Sequence, residues 1–262
     1  MDLQLTGKRA LVVGGTKGIG RATAVVLARE GAVVTVAARH DVEDAAAAIA
    51  GESGGTVHGV ALDSRDDASV QAGVARAAEL MGGVDILVNT AASPWSAAKN
   101  TVASQTSDEA MRIEFEEKVL GYLRTARAAA PHMTAAGWGR IVNVSGLGAR
   151  RAGSVAQTVR NISVAAVTKN LADELGPLGV NVTVVHPGVT RTDGVAARVD
   201  ERVAAGEPLE DVEREVARNI IGRIVTPEEV ADVIAFLASP RSVAITGGAV
   251  DAGGGTPGVV VY

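Results

Sequence analysis

Short aliphatic runs alternate with longer stretches whose apolar positions recur every three or four residues, almost from one end of the chain to the other. The short runs are "RALVVGG" (9–15), "AVVTVAA" (32–38), "TVHGVALD" (56–63), "VDILVN" (84–89), "GRIVNVS" (139–145), "VNVTVVH" (180–186) and "GGAVDAGGG" (247–255). Their length and β-branched content predict strands. Helical periodicity occupies 18–30, 41–50, 66–81, 107–135, 155–177 and 226–239. This alternation predicts an α/β fold, a doubly wound parallel sheet of about seven strands with helices on both faces. Strands that are apolar almost throughout fit burial on both sides. The stretch "QTVRNISVAAVTKNLADEL" (157–175) predicts one amphipathic helix whose apolar side carries Ile162, Ala165, Ala166, Leu171 and Leu175. Neither a linker nor a composition break interrupts the chain, so residues 1–262 are expected to form a single domain.

One segment departs from the rhythm. Residues 193–224, "DGVAARVDERVAAGEPLEDVEREVARNIIGRI", are charged and amphipathic and follow the sixth strand. Open α/β sheets bind ligands at the carboxyl ends of their strands, so this insertion reads either as a substrate lid or as a solvated helix pair.

Composition narrows the class. At 47% hydrophobic and 21% charged, the 262-residue chain is an ordinary globular protein. Aromatics make up only 2%, which leaves Val, Ile, Leu and Ala to fill the core. A net charge of −5 with no basic stripe speaks against a nucleic-acid partner. The lack of cysteine excludes disulfides, thiolate metal sites and a Cys nucleophile. His40, His58, His132 and His186 fall in different units, so no metal site is expected. "MDLQLTGKRALVVGG" has no basic region followed by a sustained apolar one, and no run approaches the roughly 18 to 20 apolar residues that cross a bilayer. A cytoplasmic location without membrane contact is expected.

The chemistry begins at "GGTKGIGRA", where Gly14, Gly18 and Gly20 stand between the first strand and the first helix. Gly14 allows a tight turn, Gly18 lets backbone approach a pyrophosphate, and Gly20 allows close helix–strand packing. The helix N-terminus then offers free N–H groups and a positive dipole end to phosphates. A Gly-rich loop in this strand–turn–helix setting points to a Rossmann-type dinucleotide site.

The GxxxGxG spacing, with "NTAA" (89–92), "HPGVTRT" (186–192) and "TPEEVADVIAFLASPRSVAITGGAVDAGGG" (226–255), resembles the short-chain dehydrogenase/reductase family of the classical type, nearly end to end. The resemblance implies a nicotinamide cofactor, a small-molecule carbonyl or alcohol substrate, and a homotetramer or homodimer. It places Thr16 and Ile19 in the phosphate region, Asp63 at the adenine amino group, and Asn89 and Ala91 on the adenosine ribose side. Gly188, Val189 and Thr192 are implied at the nicotinamide amide. Neutral Ala38 stands where the family's NAD-selecting Asp usually lies, with Arg39 next and Lys17 in the glycine loop. Two cations and no carboxylate at that strand end suit a 2′-phosphate, so NADP(H) is expected over NAD(H). The other reading pairs Arg39 with Asp41, Glu43 or Asp44 on a solvated helix start.

The family's active site is an Asn, Ser, Tyr and Lys tetrad in which a Tyr protonates the carbonyl and a Lys four residues on lowers its pKa. Counting back from "TKNLADELGPLG", those two positions fall on Gln157 and Asn161. The Ser position falls on Ser145 or Gly146, and the Asn position on Lys118. Gln157 donates an N–H bond but releases no proton, and Asn161 carries no charge. Losing a general acid costs about 10² to 10⁴ in rate, while the cofactor still carries the hydride chemistry. Lys118 lies one helical turn before Tyr122, a cation–phenol pair of suitable types. It reads as a replacement acid or a holder of the substrate carbonyl. Alternatively it pairs with Glu114, also four residues away, while Tyr122 packs against another helix. His186 reads mainly as a hydrogen-bonded core residue. Arg150 and Arg151 read as solvated loop arginines or a lure for an acidic substrate, Trp95 as a pocket wall, and Tyr262 as a packing residue across a subunit axis. Two functions fit: an NADP(H)-dependent oxidoreductase with a non-standard proton donor, or a catalytically silent NADP(H)-binding sensor or partner subunit.

Overall fold

The seven aliphatic runs become β1 (Arg9–Val13), β2 (Val33–Ala38), β3 (Val57–Ala61), β4 (Ile86–Asn89), β5 (Gly139–Val144), β6 (Val180–Pro187) and β7 (Ala249–Ala252) in the computed structural model, which describes residues 1–91 and 102–260. They form one parallel sheet in the order β3-β2-β1-β4-β5-β6-β7. Val12 sits level with Val36 on one side and Val88 on the other, so each apolar row crosses the sheet in register.

Alternation along the strands divides the core. Ala10, Val12, Val34, Ile86 and Val142 face α1 (Gly18–Arg29), α2 (Val42–Ser53) and α9 (Pro227–Ala238). Leu11, Val13, Leu87 and Ile141 face α3 (Asp67–Met81), α5 (Gly121–Ala136) and α6 (Val155–Leu175). Each fully buried aliphatic side chain contributes about 1.5–3 kcal/mol, so both layers are needed to hold the sheet. Caps set several helix starts. The Asp66 carboxylate accepts from Ala68 and Ser69 N–H, and Thr226 with Glu229 forms a capping box on α9.

Two helices differ from the expected pattern. The stretch 107–135, expected as a single helix, consists of α4 (Asp108–Glu114), a π-helical segment (Phe115–Leu120) and α5. In α6 the buried row is Asn161, Val164, Thr168, Leu171 and Leu175, whereas Ile162 is 50% exposed. The inward face therefore carries two polar side chains, Asn161 and Thr168. Thr168 Oγ1 donates to Val164 O and accepts from Asn143 Nδ2, which offsets its desolvation.

The insertion folds as α7 (Asp193–Ala204) and α8 (Leu209–Ala217). It is not simply a solvated pair, because Val199, Val212, Ala217 and Ile224 close a small core of their own against Val189 and Val195. Arg191–Glu213 and Arg202 with Glu207 and Glu215 lace its outside. Among the described residues no helix is long and apolar enough to cross a membrane.

Candidate cofactor cleft and active site

Strand order reverses between β1 and β4, which opens a crevice at their carboxyl ends. Gly14 follows β1 at φ +84°, a conformation that disfavours side chains, and a Cβ there would lie 2.6 Å from Ala91 N. A Cβ on Gly20 would overlap the Gly14 carbonyl oxygen. These positions keep the loop tight against β4. The α1 N-terminus has Lys17 as its cap, with no side-chain acceptor and no acid in the first turn. Its amide N–H groups and positive dipole end are thus left for an anion. The resulting cleft, about 580 Å³, is lined by the glycine loop, Arg39, Asp63, Thr90, Ala91 and Thr192, among others. A cradle that admits no Cβ, under a bare helix terminus, fits a dinucleotide pyrophosphate.

Charge at the adenosine end follows from three cations. Arg39 has no carboxylate at ion-pair distance among the described residues, so the expected alternative of pairing with Asp41, Glu43 or Asp44 is not observed. Asp41 instead lies 3.9 Å from Lys17, and both are exposed. Asp63 lines the cleft with its carboxylate gripped by Arg65, Nε to Oδ1 at 3.0 Å and Nη2 to Oδ2 at 2.7 Å. The Arg65 bonds, helped by the Arg39 charge, hold the carboxyl down at about 2. Arg65 was not anticipated, although its place two residues after Asp63 was a usable signal. Asn89, expected on the ribose side, is not among the residues lining the cleft. Its side chain is fully buried, donates to Asn143 Oδ1 at 3.0 Å and accepts from Thr125 Oγ1 at 2.8 Å. A parallel sheet buried on both faces must satisfy that amide internally. Thr90 and Ala91 line the cleft in its place.

Of the positions expected to carry the proton relay, Lys118, Ser145 and Asn161 meet beyond β5. Lys118 belongs to the π-helical segment, is 4% exposed, and donates from Nζ to Ser145 O at 2.9 Å. Its expected alternative partner, Glu114, is taken by Arg160 of α6, which reaches it across the helix interface. Burial, with the Arg160 charge next, pushes the Lys118 amine well below its ordinary range. Tyr122 is buried against Val119, Val164 and Val184 and donates to Val144 O at 2.9 Å. Burial raises its pKa, so the Tyr122 phenol is a poorer proton donor than a free one. Lys118 Nζ lies 6.0 Å from that ring. Ser145 Oγ donates to Asn161 O at 3.0 Å, which commits its proton to the backbone. Asn161 is 4% exposed, and its Oδ1 has no donor among the described residues. Gly146 and Gly148 leave room for its amide, since a Cβ on either would lie 3.2 or 3.0 Å from Asn161 Nδ2. Gln157 Nε2 is likewise buried without an acceptor.

His186 is a core residue, as expected. Its Nδ1 faces Gly146 N at 3.4 Å, and burial lowers it to about 4. Arg150 is ion-paired with Asp251 at 3.1 Å, while Arg151 is exposed. Trp95 and Tyr262 lie outside the described residues.

The sheet order and the glycine-loop cleft define a Rossmann-type protein. A family model described as Enoyl-(Acyl carrier protein) reductase matches residues 13–256. The chain is similar to Short-chain reductase protein NovJ of Streptomyces niveus, at 36% identity over 95% of this chain and 93% of that protein. It is also similar to Oxidoreductase UcpA of Salmonella typhimurium, 36% identical over 93% of this chain and 92% of that one. Among solved structures, L-sorbose reductase from Gluconobacter frateurii, complexed with NADPH and L-sorbose, superimposes with a TM-score of 0.90. That match has 29% identity and covers 99% of this chain and 100% of the other. The chain belongs to the short-chain dehydrogenase/reductase family.

Proposed function

We propose that the chain is an NADP(H)-dependent oxidoreductase acting on a small-molecule carbonyl or alcohol, with a proton donor other than a Tyr–Lys pair. The observation that carries it is the cleft: a glycine cradle under a bare helix terminus, with Arg39 and Lys17 at the strand end and, among the described residues, no carboxylate at ion-pair distance from Arg39. The NADPH complex of the similar L-sorbose reductase supports the same cofactor. Gly14, Gly18, Ile19 and Gly20 would hold the pyrophosphate with Thr16, and Arg39 and Lys17 the 2′-phosphate. Asp63 would meet the adenine, with Ala91 near the ribose and Gly188, Val189 and Thr192 toward the nicotinamide. When bound, the cofactor supplies the hydride.

Lys118 is the ionisable side chain at the expected relay position. Burial holds its amine well below the ordinary lysine range, which makes it a readier proton donor than a free lysine. Gln157 orients a substrate oxygen through its spare N–H without releasing a proton. Helices α7 and α8 act as the substrate lid, supported by their place after β6. Exposed Ile113, Phe115 and Ile162 support a homodimer or homotetramer.

The second reading is a silent NADP(H)-binding sensor or partner subunit, favoured by amides where an acid is needed. Calorimetric titration with NADP⁺ tests the cofactor. NADPH consumption against ketones, aldehydes and quinones separates the two functions, because tight binding with no turnover selects the sensor. No heat from folded protein sinks both.

A further inference from the structure

Arg39 and Asp63 leave neighbouring strands side by side. Ala38 of β2 is in register with Ala61 of β3, and Leu62 N donates to Ala38 O at 2.9 Å. Arg39 follows the first strand end and Asp63 the second, with the strands about 4.8 Å apart. Both residues line the cleft, and Arg39 stands exposed on a long, flexible side chain. Asp63 is the carboxylate such a cation would take. Among the described residues the two nevertheless form no ion pair, and Asp63 is held by Arg65.

The hold is thorough. Asp63 Oδ1 accepts from Arg65 N and from Nε, both at 3.0 Å. Oδ2 accepts from Nη2 at 2.7 Å and, more weakly, from Nε at 3.3 Å. Ser69 Oγ accepts from Asp63 N and Asp66 N donates to Asp63 O, which fixes the turn beneath the carboxylate. Arg65 is drawn the same way on its other side, where Nη1 lies 3.8 Å from Glu117. A two-pronged guanidinium is a stronger and more directional partner than a single exposed contact. The Arg65 bonds are also the main cause holding the Asp63 carboxyl down at about 2, and the Arg39 charge is the smallest one. With about four lone-pair sites on a carboxylate, one on Oδ2 is left for an adenine amino group.

We propose that Arg65 sets the preference for NADP(H) over NAD(H) without touching the 2′-phosphate, by occupying Asp63 and so keeping Arg39 free for that phosphate. Arg65 is thus a positioning residue that acts on Arg39 through Asp63. Without it, the Asp63 carboxylate captures Arg39, and a 2′-phosphate has to break that pair before it can bind. NADH has no 2′-phosphate and does not meet this cost. The inference rests on the cofactor reading given above.

The test is a double-mutant cycle of Asp63→Asn and Arg65→Met, with NADPH and NADH affinities measured by calorimetry on the full chain. Losses shared by the two cofactors, at the adenine or in folding, cancel in their ratio. Arg65→Met should lower the NADPH preference about three- to fivefold, the size of an exposed ion pair that must be broken. Asp63→Asn alone should leave the ratio within about twofold of wild type, because Arg65 already occupies that carboxylate. Added to Arg65→Met, the same substitution should restore the ratio, since an amide does not hold Arg39. Arg65→Lys keeps a cation on Asp63 and should keep most of the preference. An unchanged ratio in Arg65→Met overturns the inference alone. An equal gain from Asp63→Asn in both backgrounds does so too, because then only the summed charge of the cleft matters. A wild-type protein that binds neither nucleotide, or prefers NADH, overturns the cofactor reading and this inference together.

Discussion

Lys118 and Ser145 are joined by a 2.9 Å hydrogen bond from the side-chain amine to the main-chain oxygen, which ties the π-helical segment to the end of β5. A π-helical turn is uncommon and tends to occur at functional sites, and here it carries the one lysine of the expected relay. The bond satisfies Ser145 O without needing the amine to be charged. Burial makes the charged form costly.

That cost gives stability a pH dependence. An amine whose folded-state pKa is depressed binds fewer protons folded than unfolded, so stability rises with pH between the depressed value and the unfolded value of about 10.4. Urea unfolding should therefore show stability rising with pH on the approach to about 10.4, by up to about 1.4 kcal/mol per pH unit from this group. The increase should be missing from Lys118→Met. Parallel pH profiles for the two proteins would show that Lys118 titrates as a solvated lysine.

His186 acts on the acid side. Burial takes it from 6.5 to about 4, with Asp251 opposing and Arg150 and Lys118 assisting the fall. A depressed base leaves stability intact above about 6.5 and loses it as pH drops toward about 4, where the loss levels off. The full loss is on the order of 3 kcal/mol. His186→Leu keeps the volume apolar and removes the titration. Its urea midpoint should therefore drop less than that of wild type between neutral pH and pH 5, and an unchanged drop would assign the acid sensitivity to the carboxylates.

Arg39 should decide between the two nicotinamide cofactors. A charge-assisted bond to a 2′-phosphate contributes about 1.5–3 kcal/mol, or roughly 10- to 100-fold in affinity. Arg39→Asp both removes that bond and repels the phosphate. Calorimetry with NADPH and NADH should show the affinity ratio swinging toward NADH by at least that factor. An unmoved ratio would leave Lys17 and the loop amides as the whole phosphate site.

The strands and most helix ends were legible because β-branched runs and periodic stretches carry local information. Gly14 and Gly20 were legible for the same reason, since a strand–turn–helix junction has few solutions. The inward face of α6 was not. Apolarity points to Ile162, while Thr168 turns inward because Asn143 of β5 and the α6 backbone supply its hydrogen bonds. The π-helical segment was hidden as well, for six residues cannot separate its period from that of an α-helix. Local spacing assigned Glu114 to Lys118, yet the partner came from Arg160, 46 residues further along. Asn89 fell in the expected place, but its neighbours in the sheet turned it inward.

The Glu114–Arg160 pair links α4 to α6 with side-chain exposures of only 7% and 13%, so each charge relies on the other rather than on water. Removing one partner of such a pair costs about 3–5 kcal/mol, whereas replacing both by apolar groups of similar size is often neutral. Glu114→Gln should therefore lower the unfolding free energy by that amount, and Glu114→Leu/Arg160→Met should regain most of it. The single variant also strips Lys118 of the negative charge that raises its pKa and leaves the Arg160 charge that lowers it. Its amine should consequently titrate at still lower pH, visible as a shift of the Lys118 resonance in a lysine-labelled NMR sample. Were Glu114→Gln to stay within about 1 kcal/mol of wild type, the pair would behave like an exposed salt bridge, and Lys118 would have no buried charge network around it.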